Sequence, residues 1–223
     1  MPARTVETVL LMLPSAAICL LCLTPGETRA DDAEVTWVDA QTLTLEGKGW
    51  ATTEEPYDRL PPKAHDTVRP DVWWLSKNSA GLCVRFSTTA ATVQVKWEVT
   101  GGLAMPHMPA TGVSGVDLYA KTDTGWRFVG NGRPGAQANE ASFSPGVAPE
   151  LCVCLPLYNQ TKSVQIGVPA GQTITPAPVR PKPVVFYGTS ITQGGCASRP
   201  GMAYTNIVGR KLNVPIINLG FSG

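Results

Sequence analysis

The feature that most constrains the fold is a short apolar run that leads into a glycine-rich turn carrying a serine. Residues 184–187 are Val, Val, Phe and Tyr between a proline and a glycine, which predicts a short buried strand. Apolar residues at helical spacing in residues 203–212, followed by a second run at residues 214–219, complete a strand–helix–strand unit of a parallel sheet. Ser190 therefore lies just beyond the carboxyl end of a strand, where open α/β sheets bind their ligands.

The chain before this unit is rich in short strands. Residues 92–100 give the clearest pattern, because apolar and polar side chains alternate throughout and predict a half-buried antiparallel strand. A hairpin is predicted within residues 115–129, around a turn that contains glycine. Further strands are expected at residues 35–40, 43–45, 72–75, 81–87, 151–157 and 163–168. Many short strands separated by turn signals are typical of a β-sandwich of jelly-roll type.

The amino-terminal residues have the composition of an export signal. Arg4 precedes an apolar run at residues 9–23, and Ala30 offers a small residue at a cleavage point. The run is shorter than the roughly 20 residues of a spanning helix, and Pro14 interrupts it. We therefore expect an exported protein, periplasmic or extracellular. The predicted parts are a signal peptide at residues 1–30, a sandwich at 31–174, a stiff proline-rich linker at 175–183 and an α/β part at 184–223.

Charge and cysteine content limit the partners. A net charge of +1 without a Lys/Arg cluster argues against nucleic acid. We expect no membrane contact after signal cleavage and no cofactor. We also expect no metal, because the chain has 2 His and no finger-like ligand spacing. Four cysteines follow the signal, and they allow two disulfides in three pairings or small buried thiols: Cys83, Cys152, Cys154 and Cys196.

The spacing G-x-S-x-x-x-G that begins at Gly188 is that of a nucleophile motif. It is not the G-x-S-x-G elbow of α/β-hydrolases, because Thr192 stands where the second glycine would be, and no Gly-Lys-Ser/Thr follows as in a P-loop. The motif resembles the first motif of the GDSL or SGNH hydrolases, whose serine, here Ser190, is the nucleophile. Residues 218–223 resemble the second motif, whose glycine, here Gly223, donates a backbone N–H to the oxyanion hole.

A second resemblance covers the strand-rich part. Residues 115–119, G-V-D-L-Y, match the GxDLY signature of a domain that precedes SGNH-type esterase domains in bacteria. Residues 84–86, 103–114 and 154–159 also look like that domain, so the resemblance extends from about Trp73 to the end of the sequence. It implies a mostly β chain: a jelly-roll-like β-sandwich followed by the first strand–helix–strand of an α/β, flavodoxin-like SGNH hydrolase domain.

The resemblance also implies an activity. It indicates a serine esterase that hydrolyses carboxylic esters of small molecules or carbohydrates, with Ser190 as nucleophile and Gly223 as oxyanion donor. Thr189 and His107 are the predicted substrate-binding residues. In the family an Asn and an Asp-x-x-His pair complete the site, and no residue after Gly223 supplies them. We therefore expect a truncated chain that is inactive alone, since losing the base costs on the order of 10⁶-fold in a serine protease.

Alternatives stay open at several positions. The sandwich could be a non-catalytic binding or scaffolding module, for example for polysaccharide, and Ser190 a simple helix cap. Asp117 could hold a ligand or accept a bond from a neighbouring backbone N–H. His65 fits a solvent-exposed loop. The tryptophans could form a sugar platform or pack in the core: Trp73, Trp74, Trp97 and Trp126. Because two parallel strands and one helix leave sheet faces uncovered, residues 183–223 should need docking on the sandwich or on another chain.

Overall fold

The computed structural model describes residues 34–223, and the predicted signal peptide lies outside them. The strands are β1 (Val35–Asp39), β2 (Thr44–Glu46), β3 (Cys83–Thr88), β4 (Val93–Val99), β5 (Val116–Thr122), β6 (Gly125–Gly132), β7 (Ala138–Phe143), β8 (Leu151–Cys154), β9 (Thr161–Pro169), β10 (Ile174–Pro176), β11 (Val184–Gly188) and β12 (Ile216–Gly220). The α-helices are α1 (Pro70–Ser76), α2 (Ala110–Val113), α3 (Ser190–Gln193) and α4 (Tyr204–Leu212). None of these helices is long and apolar enough to cross a membrane.

Two antiparallel sheets form the sandwich, which we define as residues 35–176. One sheet has the strand order β1-β9-β4-β7, and the other has the order β10-β3-β8-β5-β6, with β2 also paired to β3. In β4 every second residue from Val93 to Val99 is buried, which confirms the predicted alternation. The expected hairpin is also confirmed, as β5 pairs with β6 across a turn at Gly125.

The core lies between the two sheets. Val95 and Trp97 of β4 face Val84 and Leu118 of the other sheet, and all four are at most 1% exposed. The indole of Trp97 donates a hydrogen bond of 2.9 Å to the Ser114 carbonyl, so its one polar atom is satisfied inside the core. This tryptophan is a core residue and not a sugar platform.

The strand expected at residues 72–75 is wrong, because this segment is helix α1. Pro70 occupies the first helical turn, where its fixed φ suits a helix start and its missing N–H costs nothing. Helix α1 buries Trp73 and leaves Trp74 69% exposed. Strand β7, which was not predicted from the sequence, has no continuous apolar run, since Asn139, Glu140 and Ser142 interrupt it, and it pairs at the sheet edge with β4.

Residues 184–223, named here the parallel unit, form the predicted strand–helix–strand. The expectation that residues 184–187 are buried is wrong, because Val185 is 54% and Tyr187 is 86% exposed. Among the described strands β11 pairs with β12 alone, which leaves these side chains uncovered. Strands β11 and β12 pair in parallel with Val184 opposite Ile216 and Gly188 opposite Gly220. The described residues belong to one compact unit, so the parallel unit is docked on the sandwich. Strand β10, which overlaps the start of the proline-rich segment, pairs with β3 at the edge of the second sheet.

Three cysteines cluster on adjacent strands of the sandwich. Cys83 lies opposite Cys154, and Cys152 lies one pleat away on the same face. All four cysteines of the described residues are free thiols, with Cys196 exposed and apart from the cluster. Hydrogen bonds to Cys154 and Cys83, together with burial, raise the pKa of Cys152 and keep it a thiol.

A substitution in the sandwich core tests this packing. Leu118→Ala removes a side chain that is fully buried between the sheets, and it should lower the free energy of unfolding by about 2 to 5 kcal/mol. The matched control is Leu212→Ala at a residue 62% exposed, which should change it by less than about 0.5 kcal/mol. Urea denaturation measures both, and equal effects would contradict the assigned core.

Candidate active site

The predicted nucleophile stands where strand β11 turns into helix α3. Ser190 is the first residue of α3, is half-buried, and follows the strand end at Gly188. A Cβ added at Gly188 would lie 2.3 Å from Thr192 Oγ1, and one added at Gly220 would lie 2.2 Å from the Gln193 nitrogen. The two strands therefore need glycine at their ends so that α3 can lie directly against them.

The backbone around Ser190 is held by converging donors. Its carbonyl oxygen accepts hydrogen bonds from the Gly195 N–H at 2.7 Å, the Gly194 N–H at 3.1 Å and the Tyr158 hydroxyl at 3.1 Å. Gly194 has a φ of +115°, which a residue with a Cβ rarely adopts. The turn after the serine is thereby closed tightly. Within residues 34–223, no histidine or carboxylate is hydrogen-bonded to the Ser190 hydroxyl.

The predicted oxyanion glycine lies beyond the end of β12. Gly223 has a φ of +77° and its carbonyl accepts a bond of 2.6 Å from Arg69. Its N–H donates no hydrogen bond to any described residue and is therefore available for a ligand. The preceding Ser222 bonds the Tyr158 hydroxyl at 2.8 Å, so the segments that carry Ser190 and Gly223 meet at one tyrosine.

The other predicted site residues occupy different positions. Thr189 is exposed and lines a cavity of about 470 Å³ together with Gly223 and Arg69. His107 is exposed, while its neighbour Met108 packs in a buried cluster against which Tyr158 also lies. The His107 imidazole makes no hydrogen bond with any residue between 34 and 223, and its role in substrate binding stays a prediction.

His65 is not at the site. Its Nδ1 lies 2.7 Å from the Asp66 carboxylate, and its ring packs edge-on against Trp73 at 5.0 Å between centroids. The side chain is 59% exposed, as expected for a loop histidine.

The aspartate of the GxDLY signature binds the loop that follows the nucleophile. Asp117 is fully buried and accepts bonds of 2.8 Å from Asn131 Nδ2, Arg199 Nη1 and the Gly201 N–H. Tyr119 of the same signature accepts a further bond of 2.8 Å from Arg199, and a Cβ at Gly201 would lie 2.2 Å from its hydroxyl. Asp117 was predicted either to hold a ligand or to accept a bond from a neighbouring backbone N–H. It does accept a backbone N–H, but from Gly201, which is distant in the sequence.

A buried arginine forms a second joint between the sandwich and the parallel unit. Arg59 donates to the carbonyls of Asn218 at 3.1 Å and Gly220 at 2.7 Å on β12. It also donates to the backbone carbonyls of Leu75 and Asn78 in the sandwich, so all four of these hydrogen bonds are accepted by carbonyl oxygens. Burial lowers the pKa of Arg59 to about 9, and the side chain remains charged at neutral pH.

Several residues of this arrangement were not predicted from the sequence. Tyr158 lies within residues 154–159, which carry the family resemblance, so its position was noticed without its role. Gln193, fully buried, accepts from the Ser222 N–H at 3.1 Å and donates to the Leu157 carbonyl at 3.2 Å. Neither Gln193 nor Arg59 belongs to a sequence pattern that would have identified it.

Family comparison agrees with both halves of this structure. A family model described as GxDLY, the N-terminus of SGNH hydrolase-type esterases, matches residues 35–174. A second model, the GDSL-like lipase/acylhydrolase family, matches residues 181–223. The first match spans more than half of the sequence, and the chain therefore belongs to the GxDLY family of SGNH-type esterases.

Solved structures share the fold. A protein described as a GDSL-like lipase from Bacteroides ovatus ATCC 8483 is 37% identical, with a TM-score of 0.79 over 85% of this chain and 57% of that chain. The salicylyl-acyltransferase SsfX3 from a tetracycline biosynthetic pathway is 18% identical, with a TM-score of 0.65 over 87% of this chain and 55% of that chain. This chain thus spans little more than half the length of either. No curated protein matches it.

A substitution at Asp117 tests the joint. In Asp117→Asn, one oxygen becomes an NH₂ group that faces an N–H donor in either orientation, Asn131 on one side or Arg199 and Gly201 on the other. The free energy of unfolding should fall by about 2 to 4 kcal/mol.

The control is Asp123→Asn, at an exposed aspartate in the β5–β6 turn, which should change stability by less than about 0.5 kcal/mol. Urea denaturation of the two variants measures both changes in the free energy of unfolding. A loss at Asp117 no larger than that of the control would show that the buried carboxylate does not hold the joint.

Proposed function

We propose that this chain supplies the nucleophile and the oxyanion donors of an exported serine esterase that hydrolyses carboxylic esters. The observation that carries the proposal is that the Ser190 and Gly223 segments both bond Tyr158. Ser190 lies at a strand end, and the Gly223 N–H has no hydrogen-bond partner among residues 34–223. Membership of the SGNH-type esterase family supports the same reaction class.

In the proposed reaction, Ser190 and two backbone N–H groups of this chain act together with a base from elsewhere in the intact esterase. Ser190 Oγ attacks the ester carbonyl carbon and its proton passes to a base, while the N–H groups of Ser190 and Gly223 bind the oxyanion that forms. Collapse of the intermediate breaks the bond to the alcohol, which leaves with a proton and gives an acyl-enzyme. Water then hydrolyses the acyl-enzyme and releases the carboxylic acid.

The base is proposed to come from residues that this sequence does not contain. His65 is bonded to Asp66 and His107 is an exposed loop residue, so neither supports a role as base for Ser190. The length of the solved relatives, of which the chain spans 57% and 55%, is consistent with a further segment in the intact esterase.

The substrate is proposed to be an acylated small molecule or carbohydrate. The cavity beside Thr189 and Gly223, of about 470 Å³, is large enough for a small acyl or alcohol group. Apolar side chains such as Val72 and Leu219 line it, and Arg69 places one cation at its edge. Export is supported by the composition of residues 1–30.

Replacement of the nucleophile tests the proposal. In the intact esterase, Ser190→Ala should reduce kcat/KM for p-nitrophenyl acetate by about 10⁴-fold or more, because the substitution removes the attacking hydroxyl. Ser198→Ala is the control, since this exposed serine contributes its backbone carbonyl and not its side chain to a hydrogen bond with Thr111. It should leave kcat/KM within twofold, and retained activity in Ser190→Ala would refute the proposed nucleophile.

The 223-residue chain alone tests where the base resides. We expect it to hydrolyse p-nitrophenyl acetate no faster than its own Ser190→Ala variant. Turnover by the chain alone that Ser190→Ala removes would show that a described residue acts as base, and the proposed external base would be wrong.

A further inference from the structure

Tyr158 is a residue of the sandwich whose side chain reaches both motifs of the parallel unit. Its backbone N–H is fixed to the Val113 carbonyl at 3.1 Å, on the sandwich side. Its hydroxyl lies 3.1 Å from the Ser190 carbonyl oxygen and 2.8 Å from Ser222 Oγ. No other side chain among residues 34–223 bonds both the nucleophile residue and the residue before Gly223.

The chemistry of these groups sets the direction of the bonds. A carbonyl oxygen can only accept, so the single hydroxyl proton of Tyr158 is donated to Ser190, and Ser222 Oγ must donate to Tyr158. The result is a pair of consecutive hydrogen bonds, from the Ser222 hydroxyl to the Tyr158 hydroxyl and from Tyr158 to the Ser190 carbonyl. Burial raises the pKa of Tyr158, so the phenol remains a donor at neutral and mildly alkaline pH.

A second contact strengthens the same connection. Gln193, three residues after the nucleophile, bonds the Leu157 carbonyl through Nε2 and the Ser222 N–H through Oε1. Leu157 and Tyr158 are adjacent in the sandwich, so one short sandwich segment is tied to both the helix that begins at Ser190 and the segment that ends at Gly223. Tyr158 lies outside both SGNH motifs, so the motifs alone do not assign it a role at the site.

We propose that Tyr158 is a positioning residue for ester hydrolysis, which sets the Gly223 N–H relative to Ser190 so that both can act on one oxyanion. This inference rests on the proposed function of Ser190 and Gly223. It assigns to the sandwich a direct part in the geometry of the site. Oxyanion stabilisation depends on donors placed within a few tenths of an ångström of the developing charge, so a small shift of either segment lowers the rate of the chemical step.

The test is Tyr158→Phe in the intact esterase, assayed with p-nitrophenyl acetate. The ring keeps its packing against the cluster that contains Met108, and the hydroxyl alone is lost. We expect kcat to fall by about 10- to 100-fold while KM stays within twofold, because substrate binding does not use the lost bonds. The thermal midpoint should change no more than in the control.

The matched control is Tyr204→Phe, which removes a hydroxyl that lies 3.1 Å from Thr192 Oγ1 within the parallel unit. It should leave kcat within twofold. An equal loss of kcat in both variants, or an unchanged kcat in Tyr158→Phe, would overturn the inference.

A second variant keeps the inference testable if Tyr158→Phe does not fold. Ser222→Ala removes the hydroxyl that donates to Tyr158 and leaves the Tyr158 ring in place. It should also lower kcat. The double variant should lose little more than Tyr158→Phe alone, because both changes break one connected path. Fully additive losses would show two independent effects and contradict the joint action of the two consecutive hydrogen bonds.

The outcomes separate this inference from the proposed function. Retention of hydrolysis in Ser190→Ala would refute the nucleophile, whatever Tyr158→Phe does. Loss of hydrolysis in Ser190→Ala together with an unchanged kcat in Tyr158→Phe would refute the positioning role alone.

Discussion

The buried carboxylate of Asp117 is the group on which the joint between the sandwich and the parallel unit depends. Two of its bonds reach the loop after the nucleophile, one to the Arg199 side chain and one to the Gly201 N–H. A buried carboxylate is stable only when it is hydrogen-bonded. If residues 199–201 moved away, Asp117 would stay buried as an unpaired charge, and the free energy of the protein would rise. The GxDLY signature is thus explained by contact: its aspartate and tyrosine bind residues 199–201.

Arg59 and Tyr158 hold the parallel unit at two other places. Arg59 satisfies carbonyls at the end of β12, and Tyr158 connects the Ser190 turn to Ser222. Two parallel strands with the short helices α3 and α4 cannot cover both faces of a sheet by themselves, and the sandwich supplies contacts to this unit. The sandwich is therefore part of the frame of the site, which weakens the alternative of an independent binding module.

The sequence predicted the parts of this structure that depend on local pattern. Alternation identified β4, and the run before Gly188 identified the strand that presents Ser190. The apolar pattern gave a wrong prediction at residues 72–75. The run of apolar residues there suggested a strand, whereas Pro70 begins a helix. The contacts of Arg59 with β12 escaped prediction because their partners lie 159 and 161 residues away, and only the folded chain brings them together.

Hydrogen exchange at the Gly201 amide tests the central claim most directly, that the sandwich holds the parallel unit in place. This N–H is buried against Asp117, so it should exchange as slowly as the amides of the central strand β4, through global unfolding. In Asp117→Asn it should exchange faster while β4 stays protected. Rapid exchange at Gly201 in the unmodified chain, with β4 still protected, would show that the parallel unit opens independently and would contradict this account.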